Sequence, residues 1–274
     1  MKLKEYFYAL GLKPNIKLCP SSLGKVTTDS DLDLDFYHWE EPGVKHLSID
    51  QTEINELKKF ISPGDIAIDI GAFTGDSTLP IALACGQEGK VYAFEPNPIT
   101  FQVLAKNSLL NKNKTNIIPI PFACTKESSS NYFGYSNQYL CNGGNRENLG
   151  HLNGHFFSVP VNGANPISII SSFSPNDLAK VKYIKIDTEG HDYDVLNILK
   201  ELIDAQSPFI KFEIAKKTST GKRSNIKDFF RNRNYDLTIV SSTGQLFTNQ
   251  PVKASDYFRN ETIDIFCAPR KITQ

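Results

Sequence analysis

Ile66-Ala67-Ile68-Asp69-Ile70-Gly71-Ala72-Phe73-Thr74-Gly75-Asp76 is an apolar run that carries a late acid and then turns through two glycines. About twenty residues on, Val91-Tyr92-Ala93-Phe94-Glu95 repeats the pattern, a short strand of buried type closing on a carboxylate. Two strand-end acids at that separation suit an adenosine-bearing ligand laid across the carboxyl ends of a parallel sheet. Glycine lets the backbone approach such a ligand with no Cβ in the way. The acid after the second strand can accept hydrogen bonds from the ribose hydroxyls. The turn reads Gly71-x-x-x-Gly75 rather than G-x-G-x-x-G, and Asp69 and Asp76 bracket it. Those acids would repel a pyrophosphate and attract a cation. S-adenosylmethionine, with its sulfonium and ammonium, meets that requirement better than a dinucleotide. No G-x-x-x-x-G-K-[ST] occurs to hold a nucleoside triphosphate. The structural alternative is a tight strand-to-helix turn with surface acids.

The composition of the 274 residues, 40% hydrophobic and 22% charged, is that of a globular chain, long enough for one large α/β domain with an N-terminal extension. Thirty Lys and Arg balance thirty Asp and Glu, which argues against a general nucleic-acid binder or an anionic-membrane binder. No apolar run approaches the roughly 20 residues of a membrane span, and the N-terminus lacks a signal-peptide core. Five cysteines (Cys19, Cys85, Cys124, Cys141, Cys267) are scattered without a C-x-x-C pair, which fits a reducing cytoplasm better than a disulfide scaffold.

Working outward, Asp50-x-x-Glu53 predicts a helix start, with Ile54, Leu57, Phe60 and Ile61 on one face. Upstream, Asp29 to Tyr37 alternates acids with apolar residues as a half-exposed strand does. A calcium loop would need glycine where Leu34 stands. Downstream, strands are expected at 66–70, 90–94, 117–123, 181–186, 208–214, 237–240 and 263–266. Helices are expected at about 75–84, 98–110, 191–203 and 224–232. Pro119 and Pro121 move 117–123 toward a sheet edge. The last two strands form an antiparallel pair. This is a Rossmann-like, seven-stranded, mostly parallel sheet with helices on both faces. It occupies residues 50–270 behind an N-terminal extension, 1–49. Residues 125–166 break the rhythm with Ser, Asn, Gly and aromatics. Such an insertion suits a sugar, which stacks on aromatic faces and needs amide partners, or else serves as a structural hairpin or subunit contact.

A second constellation is Tyr183-Ile184-Lys185-Ile186-Asp187-Thr188-Glu189-Gly190-His191-Asp192. Asp187, Glu189 and His191 at spacings of two project to one side of an extended turn. In a doubly wound sheet they would flank the group being transferred. Transfer of a methyl to a hydroxyl requires loss of the acceptor proton, to a base such as His191 or with the help of a metal. His191 could equally begin the following helix, with Asp192 and Asp194 against its dipole. Lys185 is read as a structural neutraliser and Glu213 as a third strand-end acid. A divalent cation such as Mg²⁺ is a further candidate, its ligands unknown.

The chain resembles the FkbM-type family of S-adenosylmethionine-dependent methyltransferases. The match rests on Ile68–Asp76, Ala93-Phe94-Glu95-Pro96-Asn97-Pro98 and Tyr183–Gly190, extended by Val195-Leu196 and Phe212-Glu213. The resemblance implies O-methylation of a sugar, a polysaccharide unit or another hydroxylated acceptor. It implies a cofactor held by Asp69, Gly71, Ala72, Phe73, Thr74, Gly75, Asp76, Glu95, Pro96, Asn97 and Ala123. Asp187 and Glu189 would border the acceptor. An acid that members often carry before the fourth strand has no counterpart in Ile167-Ser168-Ile169-Ile170-Ser171-Ser172. Competing readings are a non-catalytic cofactor-binding or interaction module, a methyltransferase for another acceptor class, and a dehydrogenase. The oligomeric state is left open.

Overall fold

Apolar runs alternating with helical patterns require a sheet covered on both faces. The computed structural model has that arrangement; it describes residues 7, 10–12, 14–28, 32–49, 51–135, 138–140, 143–145, 157–216, 218–241, 245–248, 250–258 and 261–270. Strands β1 (Ser21–Lys25), β2 (Thr27–Thr28), β3 (Asp35–Trp39) and β4 (Ser48–Ile49) precede helix α1 (Gln51–Lys58). Then follow β5 (Ile66–Ile70), α2 (Thr78–Cys85), β6 (Lys90–Phe94), α3 (Pro98–Asn107) and β7 (Ile117–Ile120). The insertion supplies β8 (Ala123–Cys124), β9 (Ser129–Tyr135), β10 (Gly143–Asn145) and β11 (Phe157–Ala164). The chain closes with α4 (Pro166–Phe173), β12 (Val181–Ile186), α5 (Asp192–Ile198), α6 (Lys200–Gln206), β13 (Phe209–Ile214), α7 (Thr220–Arg231), β14 (Tyr235–Ile239) and β15 (Ile263–Pro269).

The main sheet has seven strands in the order β14-β15-β13-β12-β5-β6-β7, with β15 antiparallel to both its neighbours and the rest parallel. Alternation along the strands sorts the core into two layers. Ile66, Ile68, Ile70, Ile184, Ile186 and Phe212 face Ile170, Leu196, Ile203 and Phe230 of α4 to α7. Ala67, Val91, Ala93 and Tyr183 face Leu57, Ile81, Ala82 and Leu104 of α1 to α3. Alanines on that second face let α2 lie close, and seven of its eight residues are buried.

Several boundaries differ from the sequence reading. α2 starts at Thr78 because Gly75 to Ser77 remain in the turn. α3 stops at Asn107, so Leu109 is exposed rather than on the apolar face. The helix expected over 191–203 is two, α5 and α6, meeting at Leu199 (φ −86°, ψ 3°). α7 begins at Thr220, where the Ser219 hydroxyl accepts from the Lys222 N–H at 3.3 Å; a polar first turn hid it. α4 is absent from the sequence reading, although Ile167, Ile169 and Ile170 pack on the core; Asn165 caps it, its Oδ1 accepting from Ile167 N at 2.9 Å and Ser168 N at 3.3 Å. β7 is the edge strand its prolines required and ends at Ile120. The insertion is a four-stranded sheet, β10-β9-β11-β8. Cys19, Cys85, Cys124 and Cys267 are free. Asp29, Asp31, Asp50 and Cys141 lie outside the described residues.

The N-terminal extension packs onto the main domain through side-chain amides. Asn107 Oδ1 accepts from Tyr37 N at 2.6 Å, while its Nδ2 donates to Tyr37 O at 3.1 Å and to Thr74 O at 2.9 Å. Asn111 repeats the pattern on Asp35, at 3.1 and 2.9 Å. Two asparagines thus act as a surrogate strand for the open edge of β3. Asp33 and Asp35 of the acidic stretch pair with Lys25 Nζ at 2.6 and 2.9 Å, as strand neighbours do. Replacing buried Asn107 by alanine strands three backbone groups. The expected loss in a urea unfolding curve is about 2–3 kcal/mol; an unchanged midpoint would show that the extension is not anchored there.

Candidate active site

Parallel register sets Ile70 beside Ile186 on one side and Phe94 on the other. The residues that follow, Gly71, Asp187 and Glu95, therefore leave the sheet together. Gly71 and Ala72 both donate to Phe94 O at 3.0 Å, and Asp187 N donates to Ile70 O at 2.9 Å. Gly71 has φ +83°, and a Cβ built there would lie 1.8 Å from Asp187 O. Only glycine permits that approach. Phe73 takes a left-handed φ of 51° in the same turn, its ring edge-on to Trp39 at 5.7 Å between centroids.

Asp69 lies beneath this turn, fully buried. Its Oδ2 accepts from the hydroxyls of Ser77 at 2.9 Å and Thr78 at 2.7 Å, the residues that open α2. Lys185 Nζ stands 3.5 Å from Asp69 Oδ1, from Asp187 Oδ2 and from Gly71 O. Burial works against the lysine's charge, but Asp69, Asp187 and Asp76 hold its pKa well above the ordinary range. The sequence reading gave Lys185 a structural duty only; it also forms part of the cleft wall.

Above the strand ends opens a cleft of about 660 Å³, a size suited to a cofactor and part of an acceptor. Gly71, Phe73, Asp76, Glu95, Pro96, Asn97 and Ala123 line it, as do Asp187, Glu189 and His191. The two sequence constellations thus meet in one cavity. Asp69, Ala72, Thr74 and Gly75 do not reach it: they are buried behind the turn and shape it. Glu213 is also outside the lining. It sits opposite Asp264 in the β13–β15 register, and its carboxyl is pushed up to about 8 by burial and by Asp187, Asp192, Glu189 and Asp264.

Glu95 is held from two sides. Oε2 accepts from Phe73 N and Oε1 from Asn97 N, each at 2.8 Å. Burial raises its pKa to about 7, and those N–H donors work in the opposite sense. Asp76 opens to the cleft, where low solvation raises its carboxyl above the usual range, Lys185 opposing and Asp69 reinforcing. Across the cavity, Glu189 has φ 54° and Gly190 φ 109°, so the turn after β12 is sharply wound. Buried Asp192 holds it there, accepting from Thr188 N at 2.8 Å, Thr188 Oγ1 at 3.1 Å and Gly190 N at 3.1 Å. Asp192 was read as a helix-dipole acid; its bonds make it the clamp of the loop. His191 makes no side-chain cap bond to α5, and its Nδ1 is 3.5 Å from Asp194 Oδ2.

The sequence reading treats the insertion's aromatic and amide side chains as a candidate sugar surface, without a distinction between those that face inward and those that do not. Asn131, Phe133 and Tyr135, alternate residues of β9, line the cleft together with Phe122 and Thr125. The signal was available in the two-residue period of Asn131-Tyr132-Phe133-Gly134-Tyr135. Among the described residues no three His, Cys, Asp or Glu side chains converge as metal ligands, so the candidate divalent cation has no ligand set there. No helix among them is long and apolar enough to cross a membrane. Gly71→Ala is expected to destabilise the fold by at least about 2 kcal/mol, from the left-handed φ and the clash with Asp187 O. A thermal melt matching the wild type would show that the two strand ends can part without cost.

Comparison with known proteins bears on this cavity. Residues 69–237 match the model of the methyltransferase FkbM domain. A hexuronic acid methyltransferase of Haloferax volcanii is 27% identical over 156 residues, 56% of this chain and 57% of that protein. A tRNA (guanine(37)-N(1))-methyltransferase of Methanocaldococcus jannaschii is 38% identical over 64 residues, 23% of this chain and 18% of that one. The chain thus spans little more than half of one curated relative and about a fifth of the other. Among solved structures, a methyltransferase FkbM from Methylobacillus flagellatus is 14% identical with a TM-score of 0.45, covering 79% of this chain and 50% of that one. The family match takes in both strand-end acids, the glycine turn and the Asp187–Asp192 loop. The chain belongs to the methyltransferase FkbM domain family, a family of S-adenosylmethionine-dependent methyltransferases.

Proposed function

We propose that this chain transfers the methyl group of S-adenosylmethionine to a hydroxyl of a sugar-containing acceptor, in a reducing compartment such as the cytoplasm. Residues 50–270 would form the catalytic domain, with 1–49 as its extension. The observation that carries the reading is the pairing of Glu95, fixed by two backbone N–H groups, with Asp187, Glu189 and His191 across one cavity. The residues present fit the cofactor. Glu95 keeps lone pairs free for ribose hydroxyls, and Gly71 lets the ends of β5 and β12 close together beneath the cleft, where a Cβ would strike the Asp187 carbonyl. Five carboxylates line the cleft (Asp76, Glu95, Asp187, Glu189, Asp194) against three lysines (Lys126, Lys185, Lys211), a balance that favours a cation.

S-adenosylmethionine, when bound, supplies an electrophilic methyl group on a sulfonium. Asp187 and Glu189 would orient the acceptor hydroxyl, and His191 would take its proton, with Asp194 behind the imidazole. A sugar acceptor is supported by the likeness to the hexuronic acid methyltransferase of Haloferax volcanii and by the aromatic and amide side chains of β9. A tRNA acceptor has weaker support, since that match covers 23% of the chain and the formal net charge is zero.

Two measurements test this. Calorimetric titration with S-adenosylhomocysteine beside NADH should give binding of the first alone; preference for NADH would overturn the cofactor. Affinity should strengthen as pH rises through about 7, because burial keeps Glu95 protonated below that value and only its ionised form accepts two ribose hydroxyls. From pH 7 to 6 the loss should be about fivefold, steepening toward tenfold per unit below that, and Glu95→Gln should bind weakly with a flat profile. Glu189→Gln should bind S-adenosylhomocysteine normally, yet lose about 10²–10⁴-fold in methyl transfer to a sugar panel. Full transfer by that variant would remove Glu189 from the chemistry.

A further inference from the structure

Tyr135 is the last residue of β9 and is only 1% exposed. Its backbone is fixed from both sides, opposite Gly143 of β10 and Phe157 of β11. Its ring packs in a small apolar cluster with Leu140, Phe157 and Val159. The hydroxyl at the end of that buried ring has no hydrogen-bond partner among the described residues. Buried hydroxyls are otherwise paired, so an orphan is a gap waiting for a partner. Tyr135 also lines the cleft, on the same strand face as Asn131 and Phe133, while Tyr132 between them is 58% exposed.

The bonds around Tyr135 tie its cluster to the Glu95 side of the cleft. Asn97 Nδ2 donates to Leu140 O at 2.9 Å, tying the Tyr135 cluster to the loop after β6. The same Asn97 gives its N–H to Glu95 Oε1 at 2.8 Å. Burial and the Glu95 carboxylate both raise the phenol's pKa, so its hydroxyl stays neutral and able to donate. One end of the cleft therefore holds a fixed carboxylate, which only accepts, beside a phenol able to donate or accept. A vicinal diol is the ligand chemistry that matches this pair.

We propose that Tyr135 is a cofactor-binding residue supplied by the insertion, its hydroxyl bonding a ribose hydroxyl of the adenosine that Glu95 holds. This rests on the reading of the cavity as a site for S-adenosylmethionine. It assigns Tyr135, at the end of β9, to the cofactor and leaves Asn131 and Phe133 of the same face to the acceptor.

The test uses Tyr135→Phe, which removes one oxygen and keeps the ring. Unliganded, the variant should melt at or above the wild-type temperature, since it loses an unpaired buried hydroxyl. Titrated with S-adenosylhomocysteine, it should bind about tenfold more weakly. With the 2′-deoxy and 3′-deoxy forms of that ligand, the difference between the two proteins should shrink to under twofold for one of them. Equal affinity of variant and wild type for S-adenosylhomocysteine would overturn the proposal. So would a lower melting temperature with unchanged affinity, which would make the hydroxyl purely structural. A tenfold difference retained on both deoxy ligands would overturn the ribose contact while leaving the cofactor reading intact. Failure of the wild type to bind S-adenosylhomocysteine would overturn both.

Discussion

A buried carboxylate ties the glycine turn to the helix behind it. Asp69 has no access to solvent, and its cost of burial is offset by two hydroxyl donors at the start of α2 and by Lys185 at 3.5 Å. Because Ser77 and Thr78 are held to the end of β5, the chain between them must double back within a few residues. That reversal forces Gly71 and Gly75 into positive φ and puts Phe73 in the left-handed region. The Phe73 N–H then points at Glu95, and Gly71 rests on the carbonyl of Asp187. Both strand ends that border the cleft are thereby tied to one buried charge.

Two additions to the sheet support the cavity from different sides. The N-terminal extension stays outside the cleft lining and packs on the α3 side, where Asn107 bonds both Tyr37 and the carbonyl of Thr74 and so braces the turn from outside. The insertion reaches the cavity from the β7 edge, where β11 pairs with Ala123 and Cys124 and carries β9 over the strand ends. Asn97 joins the second addition to the first constellation by bonding Leu140 O. Amide side chains perform both attachments because each offers a donor and an acceptor to backbone edges left open. The outcome is a mixed surface in which carboxylates lie over the strand ends and aromatic rings form the overhanging wall.

Local pattern made much of this legible. Strand β5, the turn after it, β6 with Glu95, and β12 with Asp187 are short-range statements, each written in a run of about ten residues. The edge position of β7 followed from Pro119, and the antiparallel terminal pair from two β-branched runs with a polar connection. The first turn of α7 and the whole of α4 went unread, and polar caps at Ser219 and Asn165 fix where these helices start. The break at Leu199 has no sequence signal, and its geometry carries no physical account here.

The sequence by itself determined the fold class, the two acid-bearing strand ends and the cationic adenosine cofactor they suit. All of these depend on residue types at fixed local spacing. Only the tertiary structure decided which acids face the cavity. Asp69 and Glu213 looked equivalent to Glu95 and Asp187 as strand-end carboxylates. A shift of one or two residues in where each strand leaves the sheet places the first pair outside the cleft and the second pair within it. The structure also decided that Asp192 clamps a loop and that Tyr135, about forty residues from Glu95 in the chain, lines the same cleft. Those facts depend on long-range register and on contacts between elements, which no local window of sequence contains.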